Sequence, residues 1–457
     1  MNGEDKRILL LVCERFRGIG TVKNHIDAFV EYSKYELFIA DSSALKYCSI
    51  DLHQFDAVVI HYSVVISIDS YLPASVARIL TGFTGPKILF IQDEYRWVNK
   101  TADAIQRLGI DFVFTVVNED AVRQIYHHPG LRDVVFETTL TGFVPEELTK
   151  RAVPDYGKRP IDVSYRARKL PVWCGSFGQE KWQIGERFGK DAKVHALNCD
   201  IDNAEGNRIY GDAWIDFVAN SKAVLGTESG SGFIDFDGEV TKQIDNYSEQ
   251  HPDASFEELK DRFLGKKDGE ILISVISPRC FEAAALRTLM ILYPGDYSGI
   301  LRPNEHYVPL LRDNSNMDEV VAILQDDQAA GEIIARAYQD IACSGQWTFG
   351  AFIQRFDEVV DGLLVSCAEQ RKSSIVRASP AELHTLSKKW QKQMRWAVRY
   401  EGVKFRLAQF LKKTEDYLRD RRAGNGNILS MWVAGAVLSG LSMIKPIARR
   451  VLLGRKA

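Results

Sequence analysis

Six near-continuous apolar runs of strand length constrain this chain more than any other feature. They are residues 6–12 (Lys-Arg-Ile-Leu-Leu-Leu-Val), Tyr35–Asp41, Phe55–Tyr62, Pro86–Glu94, Phe112–Val117 and Val134–Thr141. Helical patterns at Thr21–Ser33, Leu72–Phe83, Thr101–Leu108 and Asn118–Tyr126 separate most of them. A strand with one wet face alternates polar and apolar residues, and these runs do not. Parallel strands covered by helices on both faces read this way. The pattern predicts a doubly wound α/β domain ending near Glu147.

The pattern restarts after Pro154. Ile161–Arg166, Lys193–Asn198, Ala223–Thr227, Ile271–Ile276 and Thr288–Tyr293 read as strands. A loop with Gly175 and Gly178 leads into a helix carrying Lys181. Helices from Pro278, Met317, Ala329 and Thr348 follow, and the domain closes near Leu364. The polar stretch Ile244–Ser255 reads as an insertion ahead of a capping box, Ser255-Phe-Glu-Glu258. The expected division is 1–150, 151–370 and a tail, 371–457. A length of 457 residues with 46% hydrophobic and 26% charged residues is enough for two cores. Seven cysteines, scattered singly and odd in number, argue against a disulfide framework or a zinc cluster and for a reducing compartment. The N-terminus has no signal-peptide pattern, so a cytoplasmic protein is expected.

Charge divides the chain sharply. Residues 371–457 hold 20 Lys+Arg against 5 Asp+Glu, so the first 370 residues keep 38 of the 58 bases and 56 of the 61 acids. The acidic body is a poor candidate for nucleic-acid binding. The basic tail points to an anionic surface.

In an open parallel sheet, ligands bind beyond the carboxyl ends of the strands. Those ends supply candidates. Gly18 and Gly20 follow the first strand, as two-thirds of a dinucleotide fingerprint, for phosphate or sugar contact. His61 ends the third run, as a functional or simply satisfied histidine. Asp93 and Glu94 end the fourth. Adjacent residues on a strand end point to opposite sides, so at most one of this pair faces a cleft. A carboxylate there suits a general base.

Ile276-Ser-Pro-Arg-Cys-Phe-Glu-Ala-Ala-Ala285 is the most informative stretch. Pro278 suits a first helical turn. Arg279 and Glu282, three apart, share a face of that helix. The helix start offers free N–H groups and positive potential. Arg279 brings a planar fork for phosphate oxygens, and Glu282 can accept two hydrogen bonds from a ribose diol. The competing reading is an ordinary intrahelical ion pair.

Ser277-x-Arg279-x-Phe281-Glu282-Ala283-Ala284 resembles the signature of the spore-maturation-protein-like glycosyltransferases, which have the GT-B fold. Tyr293-Pro-Gly-Asp-Tyr-Ser-Gly299, Leu301-Arg-Pro-Asn-Glu-His-Tyr-Val-Pro-Leu310, Gly178-Gln-Glu-Lys181 and Leu225-Gly-Thr-Glu-Ser-Gly230 are similar to that group as well, and the resemblance covers roughly residues 7–365. It implies two tandem Rossmann-like domains facing a cleft, with a nucleotide-sugar donor held by the second. It implies that Glu282 binds the donor ribose, that Ser277 and Arg279 sit near the phosphates, and that Arg166 and Lys181 neutralise the pyrophosphate without a metal or other cofactor. The position that a second glutamate fills in the larger retaining group is Val275. Asp235-Phe-Asp237 has the spacing of a metal motif of the other glycosyltransferase fold; here a donor-sugar contact or a structural loop is expected instead.

The tail predicts a helix over 387–422. Trp396, Tyr400, Val403, Leu407 and Phe410 form one apolar face, and Arg395, Arg399, Lys404, Arg406 and Lys413 the rest. Ile428–Ile444 is 17 residues without charge. Residues 387–457 therefore read as attachment to an anionic membrane surface, with a helix packed on the body as the alternative. The expected function is transfer of a sugar from a nucleotide-diphosphate sugar to a glycan or lipid-linked envelope acceptor, at the inner face of the plasma membrane. The alternatives are a sugar-nucleotide epimerase and a non-catalytic carbohydrate-assembly protein.

Overall fold

All six apolar runs enter one sheet. The computed structural model describes residues 6–368, 382 and 385–403. The first domain runs β1 (Arg7–Val12), α1 (Gly20–Tyr32), β2 (Glu36–Asp41), β3 (Ala57–Ile60), α2 (Ala74–Thr81), β4 (Lys87–Ile91), α3 (Val98–Leu108), β5 (Phe112–Thr115), α4 (Glu119–Ile125) and β6 (Val135–Thr138). The strand order is β2-β1-β3-β4-β5-β6, and every pair is parallel. Leu9 lies opposite Phe38 and Val58 in register. Alternate residues feed separate cores: Leu9, Leu11, Val58 and Ile60 on one face, Ile8, Leu10 and Val59 on the other. Each such side chain contributes about 1.5–3 kcal/mol by leaving water, which is why Ile8–Val12 and Ala57–Ile60 are apolar throughout.

The second domain runs α5 (Glu146–Thr149), β7 (Ile161–Arg166), α6 (Gly175–Asp191), β8 (Cys199–Asp202), α7 (Asp212–Ala219), β9 (Ser221–Gly226), β10 (Ser229–Ser231), α8 (Glu239–Gln250), α9 (Phe256–Leu259), β11 (Ile273–Val275), α10 (Pro278–Ala285), β12 (Leu289–Leu292), β13 (Val308–Pro309), α11 (Met317–Gln325) and α12 (Asp327–Ala337). Its main sheet is parallel, in the order β13-β12-β9-β7-β8. In both sheets the third strand lies on the other side of the first from the second. The strand order therefore reverses at β1/β3 and at β7/β9, and such switch points open a crevice.

Three local expectations are corrected. Lys193–Asn198 is a turn, and the strand follows it as β8, whose residues are half-buried at the sheet edge. The polar stretch from Ile244 belongs to α8, a surface helix that buries only Thr241 and Ile244. The strand at 273–275 pairs antiparallel with β10, outside the main sheet. The capping box holds: Ser255 Oγ accepts from the Glu258 amide at 3.1 Å.

A final helix, α13 (Phe349–Ala368), crosses back to the first domain. Phe349, Phe352 and Phe356 join Phe29, Phe90 and Phe143 in its core. The helix expected to close the second domain thus completes the first. The two crossings run side by side, with the Val144 amide donating to Trp347 O at 2.8 Å. Close by, Gly142 lies against Pro278, where a Cβ would come within 2.9 Å of the ring. Two Rossmann-like domains facing a cleft, with the last helix returned to the first, form the GT-B arrangement.

Residues 385–403 are helical and pack on the first domain. Trp390 is 2% exposed, lies against Phe38 and Phe55, and donates Nε1–H to Ser49 O at 3.1 Å. Met394 and Ala397 are also buried, and Glu401 bonds Tyr47 and Lys46. The buried line is 390/394/397, with Glu401 on the same side; of the predicted face, Trp396 packs partly buried on the first-domain core and Tyr400 on Tyr47, while Val403 is exposed. Among the described residues no helix is long and apolar enough to cross a membrane. The remainder of the predicted tail helix and Ile428–Ile444 lie outside the described residues.

Candidate active site

A cleft of about 1600 Å³ runs between the domains. Its second-domain wall is the β7/β9 switch point. Lys181, on α6 after β7, is half-buried and donates to Ser229 Oγ, just after β9, at 3.2 Å. This bond spans the crevice. Burial, together with the neighbouring Arg279 charge, lowers the Lys181 ammonium to about 8. Arg279 lies over the Trp214 ring at 4.7 Å and donates to the Arg166 carbonyl. Arg168 is exposed in the same wall. None of Lys181, Arg279 and Arg168 is in an ion pair among the described residues. Lys181 feels the like charges of Arg279 and Arg168 and the opposite charge of Asp93, and cations that repel one another in this way would attract a dianion.

Glu282 stands next to them on α10. Its Oε2 accepts from Trp214 Nε1 at 2.7 Å, and burial raises its carboxyl. Arg279 and Glu282 do not form the intrahelical ion pair; each turns to Trp214 instead. One carboxylate oxygen thus keeps its capacity for a diol. Ser277 caps α10 without using its hydroxyl on the backbone and lines the cleft with Pro278.

The first-domain wall carries one carboxylate in the open. Asp93 is exposed in the cleft, accepts from Tyr95 Oη at 2.9 Å, and holds a left-handed backbone, φ 59°. Strained backbone of this kind persists where the surroundings fix it, and it clusters at functional sites. Glu94 points the other way, into the domain. It is 3% exposed, and accepts from Thr115 Oγ1 at 2.5 Å and Tyr126 Oη at 2.8 Å. Burial lifts its carboxyl to about 7. The two neighbours divide as expected, and the cleft-facing one is Asp93.

Other predicted site residues are placed elsewhere. His61 is 0% exposed, with its ring nitrogens engaged by His25 Nδ1 at 3.0 Å and Ser63 Oγ at 2.9 Å. It faces the core because β3 is covered on both sides, so it is no base for a ligand in the cleft. Arg166 lines the cleft, yet its guanidinium is committed to Asp200, Asn207 O and Tyr165 O and lies over Phe217; Arg168 is the free base of that loop. Gly20 opens α1 at the cleft, whereas Gly18 does not line it. Asp235 is 3% exposed and caps α8 through the Gly238 and Thr241 amides, at 3.0 and 2.7 Å. Asp237 accepts from Asn99 Nδ2 at 2.8 Å. The Asp237 carboxylate and the Asp235 backbone, which exchanges bonds with Tyr95 and Trp97, tie the domains together, and neither residue lines the cleft. Among the described residues no group of three His, Cys, Asp or Glu can hold a metal ion. Trp214 was not legible beforehand: nothing in the sequence marks an indole that positions two other side chains.

No family model matches the sequence, and no curated protein matches it. Solved structures do. An alpha-glucosyltransferase in complex with UDP-glucose and DNA containing an abasic site is 9% identical, with 78% of this chain and 99% of that chain covered and a TM-score of 0.49. Anabaena HepE in complex with UDP and glucose is 12% identical, with 78% and 100% covered and a TM-score of 0.48. TarM is 12% identical, with 67% and 54% covered and a TM-score of 0.39. The overlap is one of chain path; substrate and chemistry have to come from the cleft.

Proposed function

We propose that this protein is a glycosyltransferase that moves a sugar from a nucleotide-diphosphate sugar to an acceptor hydroxyl. One observation carries the reading: Lys181, Arg279 and Arg168 line the β7/β9 switch point with no ion-pair partner among the described residues, beside a carboxylate, Glu282, with an oxygen to spare. A diphosphate satisfies the three cations, and a ribose diol satisfies Glu282. As the bond between the sugar's anomeric carbon and the β-phosphate oxygen breaks, the leaving diphosphate gains negative charge. Preorganised cations stabilise that charge more than the ground state. This is the work a metal does elsewhere, so metal-independent transfer is part of the proposal. The acceptor oxygen takes over the anomeric carbon, and its proton passes to Asp93.

The acceptor belongs, in this reading, to the cell envelope or a surface polysaccharide. Support comes from the tail helix. With its apolar face spent on the first domain, it displays Lys388, Lys392, Arg395 and Arg399 as one exposed stripe. An anionic membrane surface at the inner face of the plasma membrane would meet that stripe electrostatically.

The test is calorimetry of the full chain against UDP, GDP and dTDP and their sugars, with and without EDTA. Saturable binding that survives EDTA and is lost in Glu282→Ala supports the reading. Absence of binding to every nucleotide by folded protein sinks it. Co-sedimentation with phosphatidylglycerol vesicles, compared with a variant carrying Gln at 388, 392, 395 and 399, tests the surface.

A further inference from the structure

One base in the cleft is not accounted for by a donor diphosphate. Arg96 lies on the first-domain wall, three residues past Asp93. Its guanidinium carbon sits 4.1 Å from the Trp97 ring centre and 4.3 Å from the Trp173 ring centre. The two indoles come from opposite domains and clasp the guanidinium. Among the described residues the Arg96 side chain has no ion pair and no hydrogen bond, and its buried Nε is without a partner. Indole faces hold a cation through the ring quadrupole and leave its charge uncompensated. The in-plane N–H groups keep the fork that matches a carboxylate or phosphate.

The clasp is built rather than incidental. Trp97 has a left-handed backbone, φ 53°, and its amide donates to Asp235 O at 2.8 Å. Its indole lies against Gly238, φ 78°, where a Cβ would come within 1.9 Å of Trp97 Nε1. Only glycine admits the ring there. The segment 235–238 of the second domain thus fixes Trp97, and Trp97 fixes Arg96. Arg96 lines the same cleft as Asp93, Arg168 and Lys181.

We propose that Arg96 is an anion-recognition residue on the first-domain side of the cleft, and that the molecule reacting there carries a carboxylate or phosphate in addition to the donor diphosphate. The extra charge resides either on the donor's sugar, as a uronate, or on the acceptor. The identity of the neighbouring ligand rests on the proposed donor site; the anion site itself does not.

The experiment is calorimetry of the full chain and of Arg96→Gln, Arg96→Lys and Glu282→Ala. The probes are UDP, UDP-glucose, UDP-glucuronate, glucose and glucose 6-phosphate, the last two with and without saturating UDP. If the charge is on the donor, UDP-glucuronate binds about tenfold tighter than UDP-glucose. If it is on the acceptor, glucose 6-phosphate binds about tenfold tighter than glucose. In either case Arg96→Gln abolishes the preference, Arg96→Lys retains part of it, and UDP affinity changes less than about twofold. Two results overturn the proposal: no preference for either charged probe, or loss of UDP affinity in Arg96→Gln as large as in Glu282→Ala, which would assign Arg96 to the diphosphate. Should UDP fail to bind the unaltered protein, the donor reading falls, and glucose 6-phosphate without UDP still decides the anion site. Arg96→Lys keeps the stacked cation, so the comparison stands even if Arg96→Gln misfolds.

Discussion

The two sheets reverse strand order at equivalent places, and the two crevices are filled in opposite ways. At β1/β3 the crevice is plugged: His61 and His25 bond each other, with Phe29, Phe90 and Phe352 packed around His25. Phe352 arrives on α13, the helix that returns from the second domain. At β7/β9 the crevice stays open, and Lys181, Arg168 and Arg279 line it beside the Trp214 indole. Topology locates a crevice, but side-chain volume decides whether it becomes core or site. In the first domain the polar chemistry is displaced outward, to the loop after β4 that carries Asp93 and Arg96.

The sharpest way to break this contrast is Lys181→Ala. Removing one preorganised cation from the leaving diphosphate should cost about 10²–10³-fold in transfer rate, read as sugar released from the donor best bound in calorimetry. An unchanged rate would mean that the open crevice is not the site. His61→Ala probes the plugged one. Truncating a buried, bonded ring should lower stability by about 2–4 kcal/mol in urea unfolding, with UDP affinity unaltered. The reverse result, intact stability with lost turnover, would restore His61 as a base. Next comes Glu282→Ala. Loss of a charge-assisted acceptor for the ribose predicts about 10–50-fold weaker UDP binding by calorimetry.

The smallest effect compares the adjacent carboxylates. Glu94 titrates near 7 in the folded protein, above its ordinary 4.5, so the folded state binds that proton more tightly than the unfolded chain. The resulting stabilisation is complete below about pH 4.5 and is lost as pH rises through 7. Glu94→Gln should therefore be about 1–2 kcal/mol more stable than the parent at pH 8, after allowing for the lost bonds from Thr115 and Tyr126, and the gain should vanish at pH 5. Asp93 is exposed in the cleft, so Asp93→Asn should leave the melts nearly unchanged and act on turnover instead.

The sheet cores were legible because parallel strands buried on both faces leave no alternation to misread; β1, β3, β4 and β12 fall within the predicted runs. The edge strand was not. Cys199-Asp-Ile-Asp202 is half-buried and carries two acids, so its composition resembles a loop while the more apolar Lys193–Asn198 is a turn. Surface helix α8 failed for the same reason. In the cleft, residue type at the start of α10 pointed to Arg279 and Glu282, and the family resemblance pointed to Lys181; all three line the cleft. Residue type did not separate Arg166 from Arg168 two residues on: one is bonded to Asp200 and one is free, and only the chain path to β8 decides which. His61 was misjudged because a strand end gives no sign of what packs above it. The tail helix was placed, but its buried stripe lies on 390, 394 and 397, offset from the more aromatic one.

The side-by-side crossings at Val144 and Trp347 have a mechanical consequence. Both ends of the two-domain body, β1 and α13, belong to the first domain, and the second domain is a loop closed at its base by the Val144–Trp347 bond. Tension applied between residues 6 and 368 would pass through the first sheet and α13 and bypass the donor domain. In a force spectrometer the first domain should yield before the second feels load, and the contour length released in that first event should exclude residues 145–347 until the base of the loop opens.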